Sequence, residues 1–337
     1  MNQQEIIEVK NLLASRKNIV IVSHKNPDGD AIGSSLGMYN YLLRKKHRVS
    51  VVVPNEYPQF LNWLSGTDSV IEYSKSPEKA ETLIRKADII FCLDFNSLKR
   101  IGDLGPLVSK SKAIKILIDH HLQPEKFSDY MLSDKRSSST AQLVYDFIVS
   151  LGDRKLLNSK SAICLYTGIM TDTLSFRIGT TSSHTHRVAA ELIDAGAKNV
   201  LAYTKVFDTN TENKIRLLGY CLSKEMKVLA EYNTAFIALS ANDLTKFHFQ
   251  KGDTEGVVNY PLSLEGICFS AFFTEQNGSI RMSFRSKGTF DVNKFARKHF
   301  NGGGHMNAAG GESDLTLDEA VMKFVNILAD YKAELLR

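Results

Sequence analysis

The sequence predicts an α/β fold: a mostly parallel sheet flanked by helices, joined by a helical linker to a smaller α/β domain with a mixed sheet. Three observations carry this expectation. In the first half, short β-branched apolar runs alternate with stretches of helical periodicity, the pattern of right-handed βαβ units. After about residue 217 the texture changes to strand-like runs grouped together, with a closing amphipathic helix. The length, 337 residues, suits two domains of ordinary size.

Apolar periodicity over residues 2–14 (Ile6, Ile7, Val9, Leu12, Leu13) predicts a first helix. Asn18-Ile19-Val20-Ile21-Val22 reads as a buried strand, followed by the turn Ser23-His24-Lys25-Asn26-Pro27-Asp28-Gly29-Asp30 and a helix from Ala31 to Leu43. Residues 48–53 form a second strand closed by Pro54, and Lys45-Lys46-His47-Arg48 is a solvated charge run at a helix end. A helix at 78–86 precedes a strand at 88–93, which stops at Asp94. A helical stretch near 104–111 leads to a strand at 114–118, which stops at Asp119-His120-His121.

Ser137-Ser138-Ser139-Thr140 opens an amphipathic helix; capping explains these hydroxyls, and such a start also suits phosphate. A helix over 160–171 ends at Thr171-Asp172-Thr173. Residues 184–195 and 198–208 read as helices, the second forming a connector with 214–222. Strands follow at 234–239, 267–273 and 280–285, with a hairpin signal at 275–279. A helix at 292–299, a glycine-rich loop at 302–311 and a helix at 316–335 complete the chain. The expected domains are 1–190 and 217–337, with 191–216 as linker.

The polar start Met1-Asn2-Gln3-Gln4-Glu5 argues against a secretory signal, and no apolar run is long enough to span a bilayer. The four cysteines (Cys92, Cys164, Cys221, Cys268) are scattered in apolar surroundings without zinc spacing, as in a reduced cytoplasmic protein. A net charge of +5 is too weak to indicate a polyanionic partner by itself.

The chemistry is written at the strand ends. Three expected strands finish in His24/Asp28/Asp30, in Asp94 and in Asp119/His120/His121, and parallel sheets bind ligands beyond the carboxyl ends of their strands. Taken singly, Asp30 reads as a helix N-cap and Asp94 as a cap after a strand. Their coincidence points to a metal centre of His24, Asp28, Asp30, Asp94, His120 and Asp172. Two imidazoles and four carboxylates suit Mn²⁺, with Mg²⁺, Co²⁺ and Fe²⁺ as further options. So many acids are excessive for one ion, whereas two ions ~3.5–4 Å apart with a bridging carboxylate use them all. Such a pair activates a bridging water for phosphoester hydrolysis.

The motif His24-x-x-x-Asp28-x-Asp30, the strand-end Asp94, Asp119-His120-His121 and Asp172 within Gly168-Ile169-Met170-Thr171-Asp172-Thr173 resemble the four motifs of the DHH phosphoesterase superfamily. Gly302-Gly303-Gly304-His305, followed by Ala308-Ala309-Gly310, resembles the DHH-associated C-terminal domain. Size and layout are similar to the compact NrnA type, oligoribonucleases that also dephosphorylate 3′-phosphoadenosine 5′-phosphate (pAp). The resemblance implies short RNA oligonucleotides and pAp as substrates and two divalent ions, Mn²⁺ foremost; the lack of a long apolar run leads us to expect no membrane partner, and a homodimer stays open. It also implies His24 and Asp28 on one ion, Asp30, His120 and Asp172 on the other, and Asp94 bridging.

By the same resemblance Asp119 orients a histidine, and His121 faces the phosphate as electrostatic stabiliser or proton donor. Arg285, Gly302, Gly303, Gly304 and His305 hold the substrate's phosphate, which places the active site in an interdomain cleft. On local sequence alone, Arg285 also reads as a surface residue and the glycines as a tight connection. One position departs from the family: Leu174 stands where Gly commonly follows Asp-Thr.

Rival readings share parts of this pattern. A family II inorganic pyrophosphatase usually has Thr where Gly29 stands and carries a Ser-Arg-Lys signature, whereas Arg297-Lys298-His299 reads as a solvated helix face. An exopolyphosphatase ranks below a nuclease, and a cyclic-di-AMP or linear-dinucleotide phosphodiesterase stands nearer. A non-catalytic nucleotide-binding module conflicts with a ligand set in which every position is filled.

Overall fold

The computed structural model describes residues 1–178, 180–250, 252–276 and 278–337. It divides into two compact units, Met1–Thr209 and Asn210–Arg337, and the division falls within the 191–216 segment.

The first unit opens with α1 (Gln3–Leu12), β1 (Asn18–Val22), α2 (Gly29–Arg44), β2 (Arg48–Val53) and β3 (Val70–Glu72). It continues through α3 (Pro77–Lys86), β4 (Ile89–Leu93), α4 (Leu104–Lys110), β5 (Ile114–Asp119) and β6 (Tyr130–Ser133). Four helices close it: α5 (Thr140–Ser150), α6 (Ser159–Asp172), α7 (Ser183–Asp194) and α8 (Asn199–Phe207). The sheet runs β3-β2-β1-β4-β5-β6, with every pairing parallel.

Strand alternation sends side chains to both faces. Ile19 and Ile21 of β1 pack with Ile32, Leu36, Val144, Phe147 and Leu165, on the side of α2, α5 and α6. Val20 and Val22 face the other way, toward Ala80 and Ile84 of α3 and Leu104 and Val108 of α4.

Two glycines set how closely α2 and α6 approach. A Cβ at Gly33 would fall 2.7 Å from the Cys164 carbonyl oxygen and from the Gly168 nitrogen. A Cβ at Gly168 would fall 2.7 Å from the Ala141 Cβ and 3.0 Å from an Asp30 carboxylate oxygen. This contact draws the N-terminus of α2 and the C-terminus of α6 together over the carboxyl edge of the sheet.

The second unit comprises α9 (Glu212–Tyr220), β7 (Met226–Leu229), β8 (Thr234–Leu239), α10 (Ala241–Lys246) and β9 (Phe269–Gln276). After these come β10 (Ser279–Ser286), α11 (Val292–His299), β11 (Gly303–His305), β12 (Ala308–Ser313) and α12 (Leu317–Leu335). Its sheet, β11-β12-β10-β9-β8-β7, is mixed: β8 and β9 pair in parallel and the other neighbours antiparallel. Phe269, Phe273 and Phe284 pack with Phe295 and Phe300 on one face, and Phe324 of α12 meets the same cluster. Phe272 points oppositely, to Leu217, Cys221 and Leu244.

Three strands escape the sequence pattern. β3 has three residues, and β6 is a sheet-edge strand with no fully buried side chain. β7, also an edge strand, buries none of its four residues fully. The glycine-rich stretch expected as a loop is instead the β11–β12 hairpin. The hairpin signal at 275–279 includes Asn277, which lies outside the described residues. Among the described residues no helix is long and apolar enough to cross a membrane.

Candidate metal centre

The β1–α2 turn supplies the first acids. His24 Nδ1 lies 2.9 Å from the Lys25 carbonyl oxygen, which can only accept, so Nδ1 carries the proton and Nε2 faces the acids. That Nε2 stands 3.4 Å from Asp94 Oδ2 and 3.9 Å from Asp28 Oδ1. The N-cap of α2 is Asp28 and not Asp30: Asp28 Oδ1 accepts from the backbone N–H groups of Asp30 and Ala31, each at 3.0 Å. Asp30 is buried in the first turn and serves a different helix. Its carboxylate accepts from the N–H of Thr140 at 2.6 Å and of Ala141 at 2.9 Å, at the start of α5.

Asp94 is the first residue beyond β4, with a left-handed backbone (φ +66°) that short polar side chains tolerate best. Its two oxygens face different histidines. Oδ2 is the atom near His24, whereas Oδ1 lies 3.7 Å from His120 Nε2 and accepts from the Thr140 hydroxyl at 2.9 Å. β5 ends the cluster. His120 Nδ1 sits 3.3 Å from the Ser137 carbonyl, which turns Nε2 toward Asp172 Oδ2 at 3.6 Å and Asp30 Oδ2 at 4.0 Å. His121 Nδ1 is 2.7 Å from Asp119 Oδ1, and Asp119 Oδ2 accepts from the His121 N–H at 3.2 Å.

Burial and crowding set the electrostatics. Burial, reinforced by Asp94, Asp172 and Asp28, drives the Asp30 carboxyl well above the ordinary carboxylate range. Burial likewise pushes Asp172 up to about 7 against the pull of His120. For Asp94 burial acts the same way but loses to the hydrogen bond and charge of His24, aided by His121 and His120, so it lies below the usual range. Burial opposes protonation of His24, yet the bond to Asp94 and the charge of Asp28 raise it to about 9, with Arg100 opposing.

Buried acids that repel one another are the environment a divalent cation relieves. Among the described residues, His24/Asp28/Asp94 and Asp30/His120/Asp172 each offer ligand atoms within 4.8 Å of one another. These oxygens and imidazole nitrogens fit hard-to-borderline divalent ions.

The sequence marks Ser137 and Thr140 only as helix-opening hydroxyls, and it does not mark Arg100. Ser139 is the hydroxyl that caps α5, accepting from Gln142 N–H at 3.1 Å, while the Thr140 hydroxyl goes to Asp94. No local signal separates the two, since the difference lies in which hydroxyl reaches a residue 46 positions away.

The remaining expected residues lie in the second unit. Arg285 is on β10, in register with Ser270 and Ala308, and its Nη1 donates to the Phe284 carbonyl at 3.0 Å. Gly303–His305 pair with β12, and a Cβ at Gly304 would fall 2.7 Å from the Ala309 Cα. The Gly304 N–H donates to Asn293 Oδ1 at 2.9 Å and the Gly302 N–H to the Ala296 carbonyl at 3.2 Å. These two amides therefore serve the unit's own fold.

Leu174 occupies the left-handed region (φ +47°), followed by Ser175 (+59°) and Phe176 (+66°). Glycine takes such angles freely, whereas an L-residue costs about 1–2 kcal/mol each. The turn is held by Ser175 N–H on the Met170 carbonyl at 2.7 Å and by Phe176 N–H on the Thr173 hydroxyl at 2.9 Å. The Phe176 ring stacks on His186 at 5.4 Å. The backbone shape is thus the one glycine favours, with a half-exposed leucine side chain added beside Asp172.

The fold and this cluster define a class. Residues 18–169 match the DHH family, N-terminal domain, and residues 231–334 the DHHA1 domain. The chain belongs to the DHH family of phosphoesterases, enzymes that hydrolyse phosphoester bonds. Across 95% of its length it is 32% identical to the bifunctional oligoribonuclease and PAP phosphatase NrnA of Thermus thermophilus, covering 90% of that protein. It is 26% identical to the cyclic-di-AMP phosphodiesterase GdpP of Geobacillus thermodenitrificans but spans only 49% of it. A crystal structure of an exopolyphosphatase-related protein from Bacteroides fragilis, 44% identical, superposes with a TM-score of 0.96 over 99% of this chain and 98% of that one.

Proposed function

We propose that this enzyme hydrolyses short oligoribonucleotides to mononucleotides and pAp to AMP at a two-metal centre on the first unit. The observation that carries the two-metal reading is Asp94, whose two oxygens face His24 on one side and His120 on the other. The substrate class is supported by the 32% identity to an oligoribonuclease and PAP phosphatase over nearly the whole chain. In this reading residues 1–190 are catalytic, 191–216 link, and 217–337 bind substrate.

His24 and Asp28 would hold one divalent ion and Asp30, His120 and Asp172 the other, with Asp94 available to both; Mn²⁺ would fit these donors best. Held there, such ions would supply acidification of a water and neutralisation of charge on the phosphoryl group. Asp119 fixes the His121 ring through Nδ1, and His121 donates a proton to the leaving oxygen. Arg285 and His305 hold a substrate phosphate, with Gly302, Gly303 and Gly304 permitting close backbone approach.

A panel of dinucleotide, five-mer RNA, pAp, cyclic di-AMP, pyrophosphate and polyphosphate, each with Mn²⁺, tests this. Turnover of the first three is expected. Hydrolysis confined to cyclic di-AMP, or to polyphosphate and pyrophosphate, overturns the assignment in favour of the corresponding relative.

Arg285→Ala is expected to raise KM for two- to five-nucleotide RNA and for pAp by at least ~10-fold, the loss of a charge-assisted contact worth roughly 1.5–3 kcal/mol. A generic aryl phosphodiester should change much less. Equal losses on all substrates would place Arg285 in the catalytic machinery, and no loss would remove it from the site.

A further inference from the structure

Beside the metal centre, the same carboxyl edge of the first sheet carries a second concavity. It has a volume of about 340 Å³ and lies over the ends of β1, β2 and β3. The chain leaves β1 for neighbours on both sides, β2 and then β4, so this edge holds the reversal point at which doubly wound sheets form ligand crevices. The metal-ligand candidates come from the β1, β4 and β5 ends, whereas the concavity is lined mainly from the β2 and β3 ends, with Lys25 after β1 and Gly102 and Asp103 just before α4.

Its walls suit a nucleoside. Pro54, Tyr73 and Pro77 supply apolar surface, and Asn55 and Asp103 supply hydrogen-bonding groups. The Tyr73 hydroxyl donates to Glu81 Oε1 at 3.2 Å, which fixes the ring. The wall is also bolted to the ligand turn. Asn26 N–H donates to Asn55 Oδ1 at 2.7 Å and Asn55 Nδ2 donates back to Asn26 Oδ1 at 2.9 Å, across the gap between the β1 and β2 ends.

Lys25 and Arg100 bring positive charge to the side of the concavity toward the centre. Lys25, which lines the concavity, follows His24 directly, and its N–H donates to the Arg100 carbonyl at 2.8 Å. Among the described residues Lys25 and Arg100 have no carboxylate within ion-pair distance. A phosphodiester running from the acids into the concavity would pass these cations.

We propose that this concavity is a subsite for the second nucleoside of a short RNA, the one attached to the far side of the cleaved phosphate. The inference rests on the oligoribonuclease reading and deepens it. A dinucleotide carries such a nucleoside and pAp does not: its cleaved 3′-phosphate bears nothing further. Tyr73 stacks the base, an interaction indifferent to base identity, and Lys25 and Arg100 screen the phosphate.

The test compares substrates that differ only in that nucleoside. In Tyr73→Ala the ratio of kcat/KM for a dinucleotide to that for pAp is expected to fall about 10-fold, the scale of one lost base–aromatic stack, and Tyr73→Phe should restore it. Lys25→Ala should lower the ratio in the same direction. Equal losses on both substrates, or an unchanged ratio in Tyr73→Ala, overturn the subsite. Calorimetric titration of a dinucleotide methylphosphonate, which is not hydrolysed, reads the subsite without turnover: about 10-fold weaker binding to Tyr73→Ala is expected, and equal affinity overturns it. If the wild-type enzyme cleaves neither substrate, the oligoribonuclease reading fails, and the titration still decides the concavity.

Discussion

Asp94→Asn is expected to abolish Mn²⁺-dependent hydrolysis while leaving the fold intact, with kcat/KM falling at least ~10³-fold, roughly 4 kcal/mol of transition-state stabilisation. Asparagine is the informative replacement because position 94 has a left-handed backbone, which asparagine tolerates better than alanine. It also keeps an oxygen for the Thr140 hydroxyl, so no buried donor is orphaned. What it removes is the negative charge that His24, His120 and His121 all face, the nearest at 3.4 Å. Turnover within a few-fold of wild type under saturating Mn²⁺, with unchanged circular dichroism, would refute the bridging role. Asp94→Ala should show the same catalytic loss with a lower Tm.

Much of this centre is legible in the sequence because its residues sit where strand patterns stop. The runs 19–22, 89–93 and 116–118 are continuous and apolar, as strands buried on both faces must be, and the polar residue that follows each run marks the carboxyl edge. Connections at the next level are not legible. The N-cap that local logic gives to Asp30 falls to Asp28, because both oxygens of Asp30 reach N–H groups some 110 residues away. The hydroxyl of Thr140 is indistinguishable in sequence from those of its three serine neighbours, yet it alone of the four reaches Asp94 among the described hydrogen bonds.

Glycine misleads in a different way. Gly302-Gly303-Gly304 has the composition of a loop, but backbone contact with Ala308–Gly310 makes part of it a strand, because side chains there would collide with the facing backbone. At Leu174 the reverse holds: a leucine keeps the backbone shape that glycine favours, held by the hydrogen bonds around it. In both places tertiary contact overrides local propensity.

The adjacent histidines should separate cleanly by experiment. His120 presents Nε2 to Asp172, Asp94 and Asp30 at 3.6–4.0 Å while Nδ1 is held by the Ser137 carbonyl, the orientation of a metal ligand. His121 is oriented differently: its Nδ1 meets Asp119 at 2.7 Å, and its ring stands nearly perpendicular to that of His120. Asp119 holds the ring through Nδ1, the arrangement that orients the other ring nitrogen for proton transfer. His120→Ala is therefore expected to lose bound Mn²⁺ together with activity. His121→Ala should retain the metal and lose kcat by about 10²–10⁴-fold, the range of a positioned general acid. Asp119→Asn should reproduce part of the His121 loss, with metal content near wild type, because it acts through the ring it orients. Elemental analysis of dialysed protein, set beside kcat for each variant, reads both quantities. Equal metal loss in His120→Ala and His121→Ala would mean that both rings are ligands and that the leaving oxygen takes its proton from another donor.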